Sequence, residues 1–242
     1  MFKTIKDISE NDNRTIQEHA SFEDIEVSTN NASVVIVPTK SSVATIEYTD
    51  ANKNSKYDFD VEVKGDTLSV QLKQRHRFFF SFGFNFNDLK LTLSVPEKQY
   101  GKIQVVSDNG RIDLEDLQSE GILLDTDNGQ IQLKNVKAKT VHVETDNGRI
   151  VLENVEGEII GSTDNGRISL ITNEIKWPMD LSTDNGRIEL KTETEPKNAL
   201  MDAKSDNGKI TIFGEKTKRL TYGKGKHLIK LRTDNGRITV TK

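Results

Sequence analysis

Apolar and polar residues alternate in short runs along most of the chain, and the runs are broken by asparagine, glycine and proline. Val141 and Val143 precede one such break, and Ile150 and Leu152 follow it. A period of two lines one face of a β-strand, so both arms of the break are predicted strands. No segment sustains a helical apolar period with start and stop signals, so no long helix is expected. The break itself is a repeated motif, Thr145-Asp146-Asn147-Gly148-Arg149-Ile150 in its fullest form. Its seven copies carry the pairs Asn109-Gly110, Asn128-Gly129, Asn147-Gly148, Asn165-Gly166, Asn185-Gly186, Asn207-Gly208 and Asn235-Gly236. Successive glycines are 19, 19, 18, 20, 22 and 28 residues apart, the spacing of a stacked repeat.

Two folds accommodate such a pattern. If each Asn-Gly were a hairpin turn, the arms would form an antiparallel meander with one apolar face needing a cover. The sequence supplies no helices for that purpose, whereas short strands coiling into a solenoid bury their apolar faces against one another. The prediction is therefore an all-β, β-helix-like solenoid with rungs of about 19 residues, a two-sheet β-sandwich being the alternative. About ten rungs at roughly 4.8 Å each make a rod of about 45 to 50 Å.

The N-terminal third is less regular. Residues 1–20 read as a polar lead-in. Ser28-Thr29-Asn30-Asn31-Ala32-Ser33-Val34-Val35-Ile36 is a decayed copy of the repeat. Strand patterns follow at 44–48, 59–63 and 68–72, with a hairpin turn expected at Lys64-Gly65-Asp66-Thr67. Leu89-Lys90-Leu91-Thr92-Leu93-Ser94-Val95-Pro96 is a period-two strand stopped by proline. The whole chain, 1–242, reads as one elongated domain: degenerate rungs with a Phe-rich insertion over 1–97, then seven repeats over 98–242.

Composition agrees with a thin body, since 33% of residues are hydrophobic and 30% charged. The net charge of −4 comes from 34 basic and 38 acidic residues that are interspersed, so no broad field favours nucleic acid, and none is expected as a partner. The chain has no cysteine, which removes disulfides and thiolate metal sites. Its opening, Met1-Phe2-Lys3-Thr4-Ile5-Lys6-Asp7, leads into no apolar run of signal-peptide or membrane-spanning length. If Met1 is the native start, the expected compartment is the cytoplasm.

Within the repeat, each glycine is expected at a corner needing positive φ, with the asparagine amides and threonine hydroxyls forming ladders between rungs. Arg111, Arg149, Arg167, Arg187, Lys209 and Arg237 each follow an aspartate by three residues, Gln130 being the exception. This spacing predicts a self-neutralising column of Asp–Arg pairs. A calcium-binding solenoid would need more glycines and oxygen ligands per turn, and a polysaccharide-acting β-helix enzyme would need carboxylates gathered at one place. His19, His76, His142 and His227 show no paired ligand spacing, so no metal or cofactor is expected. Gly223-Lys224-Gly225-Lys226 lacks the spacing of a phosphate loop and reads as a flexible basic loop.

The strongest local candidate for contact is Arg75-His76-Arg77-Phe78-Phe79-Phe80-Ser81-Phe82-Gly83-Phe84-Asn85-Phe86. Phe80, Phe82, Phe84 and Phe86 can share one strand face. Phe78, Phe79 and Phe80 are consecutive and cannot all do so, which leaves aromatic surface beside Arg75 and Arg77. An anionic membrane, a partner protein or a second copy of the chain would suit it. Trp177-Pro178 and the 223–227 loop are the other interruptions of the repeat.

The strand ends at Val37-Pro38 and Val95-Pro96, together with the serial Ser/Thr-Asp-Asn-Gly-Arg-Ile copies, resemble the DUF4097 family of β-strand-repeat candidate adhesins, including LiaG-like and YvlB-like proteins, over residues 20–242. The resemblance implies a non-enzymatic, β-helix-like binding or scaffold module of the bacterial cell envelope, linked to envelope stress and outside the cytoplasm. It carries over no catalytic residues. Two alternatives are a β-helix enzyme acting on polysaccharide and a cytoplasmic structural protein that self-assembles.

Overall fold

A computed structural model describes residues 13–50, 57–74 and 89–242. In chain order the strands are β1 (Asn13–Glu18), β2 (Asp24–Thr29), β3 (Ser33–Thr39), β4 (Ala44–Asp50), β5 (Tyr57–Lys64) and β6 (Thr67–Gln74). Next come β7 (Leu89–Pro96), β8 (Gln99–Asn109), β9 (Ile112–Glu115), β10 (Gln118–Asn128), β11 (Gln130–Lys134) and β12 (Lys137–Thr145). The last six are β13 (Arg149–Glu153), β14 (Glu156–Thr172), β15 (Met179–Thr192), β16 (Ala199–Ile212), β17 (Arg219–Thr221) and β18 (His227–Thr241). The described residues contain no helix.

The solenoid expected from the repeat is the architecture, because neighbouring regular rungs pair in parallel and in register. The first arm of each rung joins one sheet, β8·β10·β12·β14, and the arm after the corner joins a second, β9·β11·β13·β14. From β14 onwards one long strand supplies both arms. The inward faces of the two sheets form the core. Ile112, Ile131, Ile150, Ile168, Ile188 and Ile238 stack along the second sheet, each 0% exposed. Full burial of such a side chain contributes about 1.5–3 kcal/mol.

Rung order departs from chain order at both ends. The last strand, β18, lies between β15 and β16 and pairs in parallel with each. Likewise β2 and β3 lie between the β6/β7 rung and the β8/β9 rung. The decayed copy at 28–36 is therefore an internal rung. The ends are closed by antiparallel strands: β5 on β6 through the Gly65 turn (φ 60), β4 on β7 with β1 outside it, and β17 on β16. The hairpin expected at 64–67 is this β5·β6 pair.

The return from one rung to the next passes a second corner. Asp116, Asn135 and Asn154 adopt φ of 56°, 53° and 52° there, conformations that Asn and Asp tolerate. Leu117, Val136 and Val155 then turn into the core. In the C-terminal rungs longer loops replace this corner.

Candidate functional site

The Asn-Gly corners of successive rungs form one column along the rod, which the residues build as follows. The Thr or Ser before each Asp-Asn-Gly points inward: Ser107, Thr126, Thr145, Thr163, Thr183 and Thr233 are at most 3% exposed and Ser205 is 8% exposed. The aspartate points to solvent. The asparagine side chain lies along the rod. Each Nδ2 donates to the Oδ1 of the adjacent rung at 3.0–3.1 Å, in the series Asn207, Asn235, Asn185, Asn165, Asn147, Asn128, Asn109, Asn31. Asn31 Nδ2 in turn faces Gln74 Oε1 at 3.5 Å, so a glutamine stands at the end of the amide ladder. A shorter ladder, Asn154 to Asn135 to Asp116, runs along the return corners.

The glycines stand at the corner for a different reason from the expected one. Gly129, Gly148, Gly166, Gly186, Gly208 and Gly236 lie outside the left-handed region, and the positive φ angles near 50° belong to the return corners instead. What excludes a side chain is the neighbouring rung. A Cβ would lie 1.8 Å from a glycine carbonyl oxygen at Gly129, 1.7 Å at Gly148 and Gly166, 1.6 Å at Gly186, and 1.5 Å at Gly208 and Gly236. The glycines stack Cα on carbonyl, a contact of the Cα–H···O kind.

Two further expectations are corrected by the geometry. The hydroxyls form no ladder with one another: Thr163, Thr183 and Thr233 reach a backbone carbonyl only at 3.4–3.5 Å, and Ser107, Thr126, Thr145 and Ser205 are buried with no partner. The hydroxyl packs against the corner glycine, Thr145 Oγ1 lying only 2.8 Å from where a Gly148 Cβ would sit. Nor does the corner aspartate pair with the arginine three residues on. Among the described residues Arg111 bonds Asp113 at 2.6 Å, and Arg187 lies 3.8 Å from Glu189, both on the arm beyond the corner. Asp108 instead accepts from Asn30 Nδ2 at 2.7 Å. The corner turns the chain between Asp and Arg, so the two series stand on opposite sides of the amide ladder.

The separation leaves a shallow groove beside the glycines, in two overlapping stretches of about 440 and 490 Å³. It is lined by Gln130, Arg149, Arg167, Arg187, Arg237 and Lys209 with the glycines Gly148, Gly166, Gly186, Gly236 and Gly208. On the acidic side, burial pushes the Asp125 carboxyl above its usual range, helped by Glu144 opposite it and by Asp127 and Asp146.

The contact stretch expected at Arg75, Arg77, Phe78, Phe79, Phe80, Phe82, Phe84 and Phe86 lies outside the described residues. Its flanks, Gln74 and Leu89, end β6 and begin β7. Trp177 is 44% exposed. The 223–226 loop is pinned rather than free, because the backbone amides of Lys224 and Lys226 both donate to Asn198 Oδ1 at 3.0 Å. No cluster of three metal-ligating side chains occurs among the described residues, and His142 lies 3.9 Å from Glu144. Sequence reasoning missed Gln74, the return-corner ladder and the groove. The return corners were marked by Asn135 and Asn154, 19 residues apart like the main corners.

The Toastrack DUF4097 family model matches residues 22–160 and 139–241. No curated protein matches the chain significantly. The solved structures that are similar include two from bacteria. A candidate cell adhesion protein from Clostridium sporogenes shares 14% identity at a TM-score of 0.46, over 95% of this chain and 99% of its own. A candidate adhesin from Bacteroides fragilis shares 16% identity at a TM-score of 0.46, over 95% of this chain and 96% of its own.

Proposed function

Since the chain belongs to the Toastrack DUF4097 family, we propose that it is a non-enzymatic binding and scaffold module of the bacterial cell envelope, a rod that holds a repeated surface against an extended partner. Family membership accounts for the architecture, and the surface carries the function. The observation that carries it is the groove beside the glycine column, which repeats the same floor and the same flank over five rungs. A glycosidase works through two carboxylates set apart from their neighbours at one cleft. Here the exposed corner aspartates recur at every regular rung, from Asp108 to Asp234. Such repetition suits contact along a length rather than chemistry at a point. The Arg75 to Phe86 stretch stays our second proposed contact, with a membrane, a partner protein or another copy.

The test is co-sedimentation of the purified protein with isolated envelope fractions, with released sugar ends assayed in parallel. Binding without sugar release is expected. Release above the buffer control would replace this reading with the polysaccharide-acting one, and failure to sediment would remove the envelope role. Wild-type sedimentation by a Phe79→Ser plus Phe82→Ser variant would remove the aromatic contact.

A further inference from the structure

The cations of the groove form a row. Strand pairing sets Arg149 beside Arg167, Arg167 beside Arg187, Arg187 beside Arg237 and Arg237 beside Lys209, each about 4.8 Å further along the rod. Of these five, only Arg187 has a carboxylate within 4.0 Å among the described residues, Glu189 at the long distance of 3.8 Å. Like charges so spaced repel by nearly 1 kcal/mol per adjacent pair in water, less in salt. The corner itself does not demand them, because Gln130 takes the same place one rung earlier, in register with Arg149. The row is therefore a feature the fold tolerates without needing.

The surroundings narrow what would neutralise it. The groove lining holds no carboxylate, since the aspartates stand across the amide ladder. Its floor is glycine backbone on which no side chain stands, so a thin chain can lie against it. It holds no aromatic ring on which bases could stack, which disfavours single-stranded nucleic acid. Guanidinium forks match phosphoryl oxygens two at a time.

Resting on the binding-module reading, we propose that the row Arg149–Arg167–Arg187–Arg237–Lys209 is the binding site of an unbranched phosphate polymer, laid along the rod on the glycine floor. The shared chemistry is a phosphoryl group at every backbone unit. Free polyphosphate and a polyol-phosphate polymer of the envelope both have it.

The experiment titrates the full chain with labelled inorganic polyphosphate and, separately, with a poly(glycerol phosphate) chain, following anisotropy over a salt series. Poly-glutamate and an oligonucleotide of equal charge serve as competitors. An Arg167→Gln plus Arg187→Gln variant reproduces the natural Gln130 and should melt like the parent. It is expected to bind at least about tenfold more weakly, with the slope of log affinity against log salt smaller by about 1.4, two contacts at about 0.7 each. Lys64→Gln plus Lys176→Gln, away from the groove, is expected to change neither. The tighter of the two phosphate polymers names the source. Absence of binding to both, equal losses in both variants, or equal competition by poly-glutamate or the oligonucleotide would overturn the assignment. If the phosphate polymers fail while the protein still sediments with envelope material, only this assignment falls. If they bind and the protein does not sediment, only the envelope reading falls.

Discussion

At Gly186 one methyl group decides whether two rungs can stack. Its Cβ would sit 1.6 Å from the Gly166 carbonyl oxygen and 2.8 Å from the carbonyl carbon, backbone atoms that cannot rotate away. Gly186→Ala is expected to cost at least about 2 kcal/mol in urea unfolding. Gly121→Ala meets only Thr140 Oγ1 at 3.6 Å and is expected to be neutral or to stabilise by about 0.5 kcal/mol, through the less flexible unfolded chain. The buried hydroxyls give a prediction of opposite sign. Thr145 Oγ1 is desolvated and makes no hydrogen bond, so Thr145→Val should stay within about 1 kcal/mol of the parent on the stabilising side. A large loss in the same unfolding assay would mean that the hydroxyl has a partner after all.

At the scale of the strand, charge and position matter more than contacts. Asp125 on β10 lies opposite Glu144 on β12, and its folded-state pKa is raised, by burial first and by neighbouring acids second. The folded state then holds its proton more tightly than the unfolded state, so stability falls as pH climbs through the carboxylate range, and ionised Asp125 is a cost at neutral pH. Asp125→Asn should stabilise by about 0.5 kcal/mol at pH 7. The gain should vanish near pH 3, where the parent is protonated too; a gain that persists there would assign the effect to something other than charge. For β18, hydrogen exchange provides the readout. Although it is the last strand in sequence, it has a parallel partner on each side. The amides of Leu231 and Ile238 should exchange as slowly as those of β15, and more slowly than those of β17.

Across the whole molecule, stacked rungs contact only their neighbours, so stability is set by which interfaces exist rather than by distance from a terminus. A chain ending at Lys218 lacks the rung that joins β15 to β16. Limited proteolysis of it should leave a core ending near Thr192, with β16 digested; survival of β16 would show that it can pair directly with β15. The antiparallel end strands serve the opposite purpose, covering backbone edges that would otherwise invite another chain. Each sheet is about ten strand spacings long, so X-ray scattering should give a rod of about 48 Å.

The sequence alone determined what each rung must be. Period-two apolar runs made its arms strands, the recurrence near 20 residues made them stack, and the lack of any helical period left the solenoid to bury its own faces. Only tertiary structure decided which rung sits beside which. Every regular rung offers its neighbours nearly the same backbone edge, aliphatic ladder and amide, as when Ile188 meets Ile168 on one side and Ile238 on the other. Nothing local therefore distinguishes one neighbour from another, and the 28-residue gap before Gly236 was the sole hint that β18 folds back inside β16. The same limit applied to charge. A spacing of three residues between Asp and Arg suggested pairing, but whether two side chains meet across a corner depends on how the backbone turns between them. Here, among the described residues, no corner aspartate pairs with the cation three residues on, and the cations line the groove without the aspartates.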